Sequence, residues 1–185
     1  MPASPGAEIG GFLRMVAAVP QSEIDAIVAL GRRALLEKGE FLARPGEVEH
    51  RLAFLHTGIV RYHVIVEATG EDVTKDFSFA PSFAVSFGSA VQGKPARVAV
   101  SAVVDCAVTL WPFAAFRQRL GQHAAWQEFG RVVAERLYVR KEDREIALLT
   151  MDAEARYRAM LAEFPDARRI PHGYGDAPCG RRREV

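Results

Sequence analysis

The sequence predicts an α+β protein, a closed antiparallel β-domain of the sandwich or barrel kind, flanked by helices and followed by one long helix. Three observations carry this reading. Gly39, Gly46, Gly58 and Gly70 punctuate short apolar or alternating runs, the pattern of strands that turn back on one another. After Pro112 the apolar period changes from two residues to three and four. The chain has 185 residues, 49% hydrophobic and 25% charged, the size and composition of one soluble globular domain with an appendage.

The elements follow in order. "MPASPGAE" is rich in proline, serine and glycine and predicts a loose start. A short helix is expected from Phe12 to Val19, stopped by Pro20. The next helix is expected to open at Ser22 as N-cap, with Asp25 three residues on and Ile24, Ile27 and Val28 on one face. "RLAFLHTG" and "IVRYHVIVEATG" read as strands, with turns at Thr57-Gly58 and Thr69-Gly70. In the second strand Val60, Tyr62, Val64 and Val66 share one face, and Ile59, Arg61, His63 and Ile65 the other. "ARVAVSAVVDCAVTLWP" supplies two more strands, broken near Asp105.

"FAAFRQRLGQ" reads as a short helix and "AWQEFGRVVAERLYVRKEDREIALLT" as a rod of roughly 35–40 Å. Its stripe of Trp126, Phe129, Val133 and Leu137 crosses the charged block Arg140–Glu145 and resumes at Ile146 and Leu149. So long a rod exceeds the face of a small barrel and implies a partner helix, most simply its own copy in a parallel dimer. A last helix, capped by Asp152, shows Tyr157, Met160, Leu161 and Phe164 on one face. "RRIPHGYGDAPCGRRREV" then loses all periodicity and predicts disorder.

Several function classes are excluded at this level. A net charge of +1 gives no global field for nucleic acid. Cys106 and Cys179 lie far apart, which suits a reducing compartment better than a disulfide scaffold. There is no signal-peptide pattern and no apolar run near the roughly 20 residues a membrane helix needs, so a cytoplasmic location is expected. His50, His56, His63, His123 and His172 lack metal-ligand spacing, and clustered cysteines for an iron–sulfur centre are missing. "FGSAVQGK" has the wrong spacing for a P-loop, with no Ser or Thr after Lys94. No nucleophile or carboxylate constellation stands out, so no enzyme, metal or required cofactor is predicted.

The order of parts, with "KGE", "PGE", "LHTGIVRYH" and "TGED" ahead of the long helix and "AEARYRAMLAEFPDARRIP" after it, resembles the Crp/Fnr superfamily of bacterial transcription regulators. The likeness covers about Phe12 to Pro171. It implies an eight-stranded jelly roll of the cyclic nucleotide-binding type and a dimerisation helix on which Phe129, Val133 and Leu137 would face the partner. It further implies the first helix of a winged helix-turn-helix domain. The implied division is 1–21 for the N-terminal tail and short helix, 22–124 for the roll and 125–150 for the dimerisation helix. Residues 151–171 would be a stump of the DNA-binding domain, and 172–185 a disordered tail.

Two departures qualify what the resemblance implies. Nucleotide-binding members carry a Gly-Glu pair and, nine or ten residues later, an arginine; the carboxylate takes the ribose hydroxyl and the guanidinium the cyclic phosphate. Here Phe87-Gly88-Ser89 puts serine where the acid belongs, Arg97 follows only eight residues later, and in the other register the arginine's place falls on Ala96. Cyclic AMP or cyclic GMP is therefore disfavoured as the effector. The candidate ligand site remains Phe87, Gly88, Ser89, Lys94 and Arg97, open to another anionic or apolar effector. The second departure is the lack of a recognition helix after Pro171, read as a truncation or frameshift. DNA is expected as a partner only if that helix is restored. The alternative is a stand-alone small-molecule or cyclic nucleotide-binding module without a DNA role.

Overall fold

The computed structural model describes residues 4–170. The sequence expectations for residues 171–185, disorder and the truncated recognition helix among them, lie outside the described residues.

The chain opens on α1 (Pro5–Val16), seven residues earlier than the periodicity suggested. Ser4 caps it by accepting from Ala7 N at 3.3 Å, and Pro5 sits in the first turn, where its missing N–H costs nothing. α2 (Gln21–Leu30) follows with Pro20 rather than Ser22 at the N-cap. Eight strands come next: β1 (Arg32–Leu36), β2 (Phe41–Ala43), β3 (Arg51–Leu55), β4 (Ile59–Val66), β5 (Glu71–Phe79), β6 (Ser82–Ala84), β7 (Ala99–Ala102) and β8 (Cys106–Pro112). One short helix, α3 (Phe87–Gln92), lies between β6 and β7. The chain ends in α4 (Phe113–Gln122), the 27-residue α5 (Ala124–Thr150), α6 (Ala153–Glu163) and a 3₁₀ turn (Pro165–Arg169).

The strands form two four-stranded antiparallel sheets, ordered β1-β8-β3-β6 and β2-β7-β4-β5. This crossing order makes a roll rather than a meander. The close approach of the β3–β4 turn to the start of β8 explains one of the glycines. Gly58 has φ 98°, and a Cβ there would meet Cys106 Sγ at 2.5 Å and Asp105 O at 2.8 Å. Only glycine tolerates both conditions. Burial raises the pKa of the Cys106 thiol to about 11, so it behaves as a small apolar side chain in the core.

Three cores hold the fold. Between the sheets lie Leu36, Leu42, Leu55, Val60, Val100, Val108 and Leu110. Under the outer face of the first sheet, Leu52, Phe54 and Trp111 meet Ile9, Leu13, Ile24 and Ile27 of α1 and α2, together with Phe116 of α4 and Trp126 and Phe129 of α5. Both faces of β3 and β8 are thus buried, which is why "RLAFL" is nearly continuously apolar instead of alternating. On the outer face of the second sheet, Ile59, Phe77 and Val103 pack with Phe79, Met160 and Ile170. The two buried indoles keep their N–H groups paired: Trp111 Nε1 donates to Ile27 O at 2.7 Å and Trp126 Nε1 to Glu23 Oε2 at 2.8 Å.

Candidate functional site

The candidate ligand loop runs from β6 through α3 to β7. Ser89 is buried and its hydroxyl is fully engaged, donating to Lys94 O at 2.7 Å and accepting from Glu49 N at 2.9 Å. Ser86, also buried, donates to Val98 O at 3.3 Å. Ala96 is buried, with its N–H donating to Glu47 O at 2.8 Å and its carbonyl accepting from Gly46 N at 2.9 Å. Gly93 ends α3 in the left-handed region at φ 65° and turns the chain back toward β7. Phe87, Gly88, Lys94 and Arg97 are exposed. The five predicted residues therefore share one loop without converging on one point. Ser89 faces inward as a staple to the β2–β3 corner, while Lys94 and Arg97 lie on the outside.

Sequence reasoning missed the acid that stands beside this loop. Glu49 precedes β3 and is buried. Its Oε1 accepts from His50 N at 2.9 Å, Arg51 N at 2.7 Å and Arg51 Nε at 2.9 Å, and its Oε2 accepts from Arg51 Nη2 at 2.9 Å. The same Arg51 nitrogen donates to Leu42 O at 2.6 Å. The hydrogen bonds that Arg51 donates to Glu49 hold its pKa above the ordinary value, against the opposing effect of burial. Both groups are committed to each other and to the corner.

A second polar cluster lies on the outer face of the β2-β7-β4-β5 sheet. Arg61 donates from both terminal nitrogens to the Asp72 carboxylate, 2.9 Å each, and from Nε to Thr74 Oγ1 at 2.7 Å. His63 Nδ1 contacts Asp72 Oδ1 at 2.8 Å, and its Nε2 contacts Ser101 Oγ at 3.2 Å. Burial depresses the His63 pKa, and the nearby Arg61 charge adds to this against the pull of Asp72. The Asp72 carboxylate can only accept, so His63 Nδ1 donates to it, while Nε2 lies within hydrogen-bond distance of Ser101 Oγ. Burial acts to raise the Asp72 pKa, but the hydrogen bonds from Arg61 and His63 prevail and hold it below the usual carboxylate value.

The order Ser101–His63–Asp72 is that of a nucleophile, base and orienting acid. The setting is not. Ser101 is buried in mid-strand between Phe41 of β2 and Arg61 of β4, so its peptide groups face neighbouring strands rather than an oxyanion. Asp72 also serves Arg61. The cluster ties β4, β5 and β7 together. Its sequence signal was present as Arg61 and His63 on one face of β4.

Against the core between the sheets, the Tyr62 hydroxyl accepts from Ser78 Oγ at 3.4 Å, and burial raises the phenol pKa. Beside it, Asp76 of β5 accepts from Arg140 Nη2 at 2.9 Å and lies 3.8 Å from Arg144 Nη1, so α5 is tied back onto the roll.

No family model matches the sequence, and no curated protein matches it significantly. Solved structures do. A putative transcriptional regulator of the Crp/Fnr family from Eubacterium rectale superposes with a TM-score of 0.68 at 13% identity, over 88% of this chain and 78% of that one. FixK2 from Bradyrhizobium japonicum gives 0.61 at 20% identity, over 75% and 67%. A cyclic nucleotide-binding domain from Methylobacillus flagellatus gives 0.57 at 18% identity, over 88% and 83%. The fold is that of a Crp/Fnr-like cyclic nucleotide-binding domain.

Within this cyclic nucleotide-binding-like roll, the predicted dimerisation residues divide. Phe129 is 3% exposed in the chain's own core, and the half-buried Val133 packs against that core. Leu137 is 53% exposed. The helix carries two stripes. The inner one, Trp126, Phe129 and Val133, continues as Arg140 and Arg144 on Asp76. The outer one, Val132, Val139 and Ile146 at intervals of seven with Leu149, runs along another side of the helix and starts half-buried at Val132. Of these, Val139, Ile146 and Leu149 are exposed, Leu149 by 86%. A cavity of about 390 Å³ lies elsewhere, between α1 and α2, lined in part by Gly6, Gly10, Arg14, Gln21 and Asp25. Among the described residues no helix is long and apolar enough to cross a membrane.

Proposed function

We propose that this chain is a Crp/Fnr-like regulatory protein that works as a parallel homodimer through α5, with an effector-sensing roll that does not use cyclic nucleotides. The observation that carries this reading is the outer stripe of α5. Val132, Val139 and Ile146 recur every seven residues on a helix of 27, and β-branched residues at such positions favour two-stranded parallel pairing. Glu135 and Glu142 fall at the alternate positions, so the seam rests on one apolar residue per heptad until Leu149. A roll that feeds such a helix can convert a change at the roll into a change in helix pairing.

The case against a cyclic nucleotide rests on the loop. Ser89, in the acid's place, is closed into the corner by two hydrogen bonds. Ala96 is buried and Arg97 points outward at an exposed position. A hydrogen bond to a charged group contributes about 1.5–3 kcal/mol, so losing two weakens binding by about a hundredfold or more. The effector is proposed to be another small molecule. Specific DNA reading is not assigned to residues 4–170. A stand-alone effector-binding module without pairing is the competing reading.

Disulfide trapping separates the two. In a Cys179→Ser background, Val139→Cys should form a covalent dimer on mild oxidation, and Lys141→Cys, on another side of α5, should not. Equal trapping at both positions, or at neither, removes the parallel pairing and with it the regulatory reading.

A further inference from the structure

The last described segment folds back onto the roll instead of projecting from it. Met160 and Ile170 pack against the buried trio Ile59, Phe77 and Val103 on the outer face of the second sheet. Phe164, the residue that ends α6, stacks on Phe79 of β5 with ring centroids 4.9 Å apart and planes 16° from parallel. The Arg140 guanidinium lies 5.4 Å from the centre of the same Phe164 ring while its Nη2 holds Asp76 at 2.9 Å. One side chain of α5 therefore touches both the edge strand of the roll and the end of α6. The contact is thin: no residue of α6 itself is buried, and the tightest part of the segment is Ala167 in the 3₁₀ turn, 4% exposed. A contact of this size suits an element that opens on its own while the roll stays folded.

We propose that α6 and the 3₁₀ turn are an intramolecular latch, held on the roll by the Phe79–Phe164 stack and coupled to α5 through Arg140 and Asp76. Closed, the latch commits Met160 and Phe164 to the roll, so that face of α6 cannot seat any other domain. A shift of α5 that separates Arg140 from Asp76 weakens the hold on Phe164 and frees the helix. The inference rests on the regulatory reading above for its purpose, but its physics is confined to one chain. Opening is a population shift between two arrangements of the same segment, biased by whatever moves α5.

Hydrogen exchange read by mass spectrometry on the full chain tests it. Wild-type protein should show protected amides in α6. Phe79→Leu and Asp76→Asn should each raise α6 exchange by roughly threefold to fivefold, the worth of one exposed ring or cation contact, while β3 and β8 exchange as before. Asp76→Asn sits on the surface of an intact strand and gives a reading even if Phe79→Leu folds poorly. Val139→Asp, which touches no latch contact, should leave α6 protected. Unchanged α6 exchange in both latch variants overturns the proposal. So does loss of α6 protection in Val139→Asp, because the helix would then be held by the second copy. Protected α6 in a protein that proves monomeric leaves the latch standing and defeats only the pairing.

Discussion

The two ends of α5 belong to one uninterrupted helix and meet opposite surroundings. Its first turns bring Trp126 and Phe129 into a core shared with α1, α2 and α4. Its last turns bring Val139, Ile146 and Leu149 to the surface. The difference shows what each end is for. An apolar side chain gains about 1.5–3 kcal/mol from full burial. The first end takes that gain within the chain, and the second can take it only from something outside. The same helix therefore anchors the roll at one end, and the proposed pairing rests on the other.

Substitutions sharpen this contrast. The largest effect is expected for Phe129→Ala, which should cost about 3–5 kcal/mol by opening a cavity in the first core, read as a fall in the denaturant midpoint. An intact midpoint would mean that the core under the first sheet is not formed. Next comes Ser89→Ala in the loop, which leaves Glu49 N without its acceptor in a buried corner and should cost about 1–3 kcal/mol. A neutral result would mean that the loop is open and its serine free for a ligand. Val139→Asp and Arg97→Ala stand at the other end of the scale. Both are surface changes expected to move stability by no more than about 0.5 kcal/mol, with Val139→Asp abolishing the dimer on a sizing column all the same.

Acid gives a second test, since it acts on the outer-face cluster, where His63 is buried and Asp72 exposed. The folded pKa of His63 lies below its ordinary 6.5. The unfolded chain thus takes up a proton that the folded one resists, and stability should fall as pH drops through that value. The folded pKa of Asp72 lies below 3.8, so its contribution, complete at neutral pH, should be lost as pH falls further. His63→Gln should remove the first decline and leave the second. A wild-type chain equally stable at pH 7 and pH 5 would contradict the lowering of the His63 pKa by burial.

Much of the fold was legible in the sequence because the strands obey the period of two and the turns are marked by glycine. β4 shows its faces as expected, with Val60 in the inner core and Arg61 and His63 outside. The start of α1 was missed because Gly6, Gly10 and Gly11 mimic a loop. In the structure a Cβ at Gly10 would sit 3.2 Å from the Ile24 side chain, so this glycine serves close helix packing. The apolar stripe of Phe129, Val133 and Leu137 does not reveal in the sequence that Phe129 enters the chain's own core, that Val133 lies at its edge and that Leu137 is exposed. Periodicity shows that a helix has faces, but only the folded chain shows which face its own body covers. The Ser101 contact was invisible because its partner His63 is 38 residues away, as was the Glu49 N–H bond to Ser89, 40 residues away.

The account's central claim is that the outer stripe of α5 joins two copies of this chain. Sedimentation equilibrium of the full chain tests it most directly. The account predicts a species of twice 20.4 kDa that falls to 20.4 kDa in Val139→Asp without loss of fold. A wild-type chain that sediments as a single copy at every concentration would contradict it.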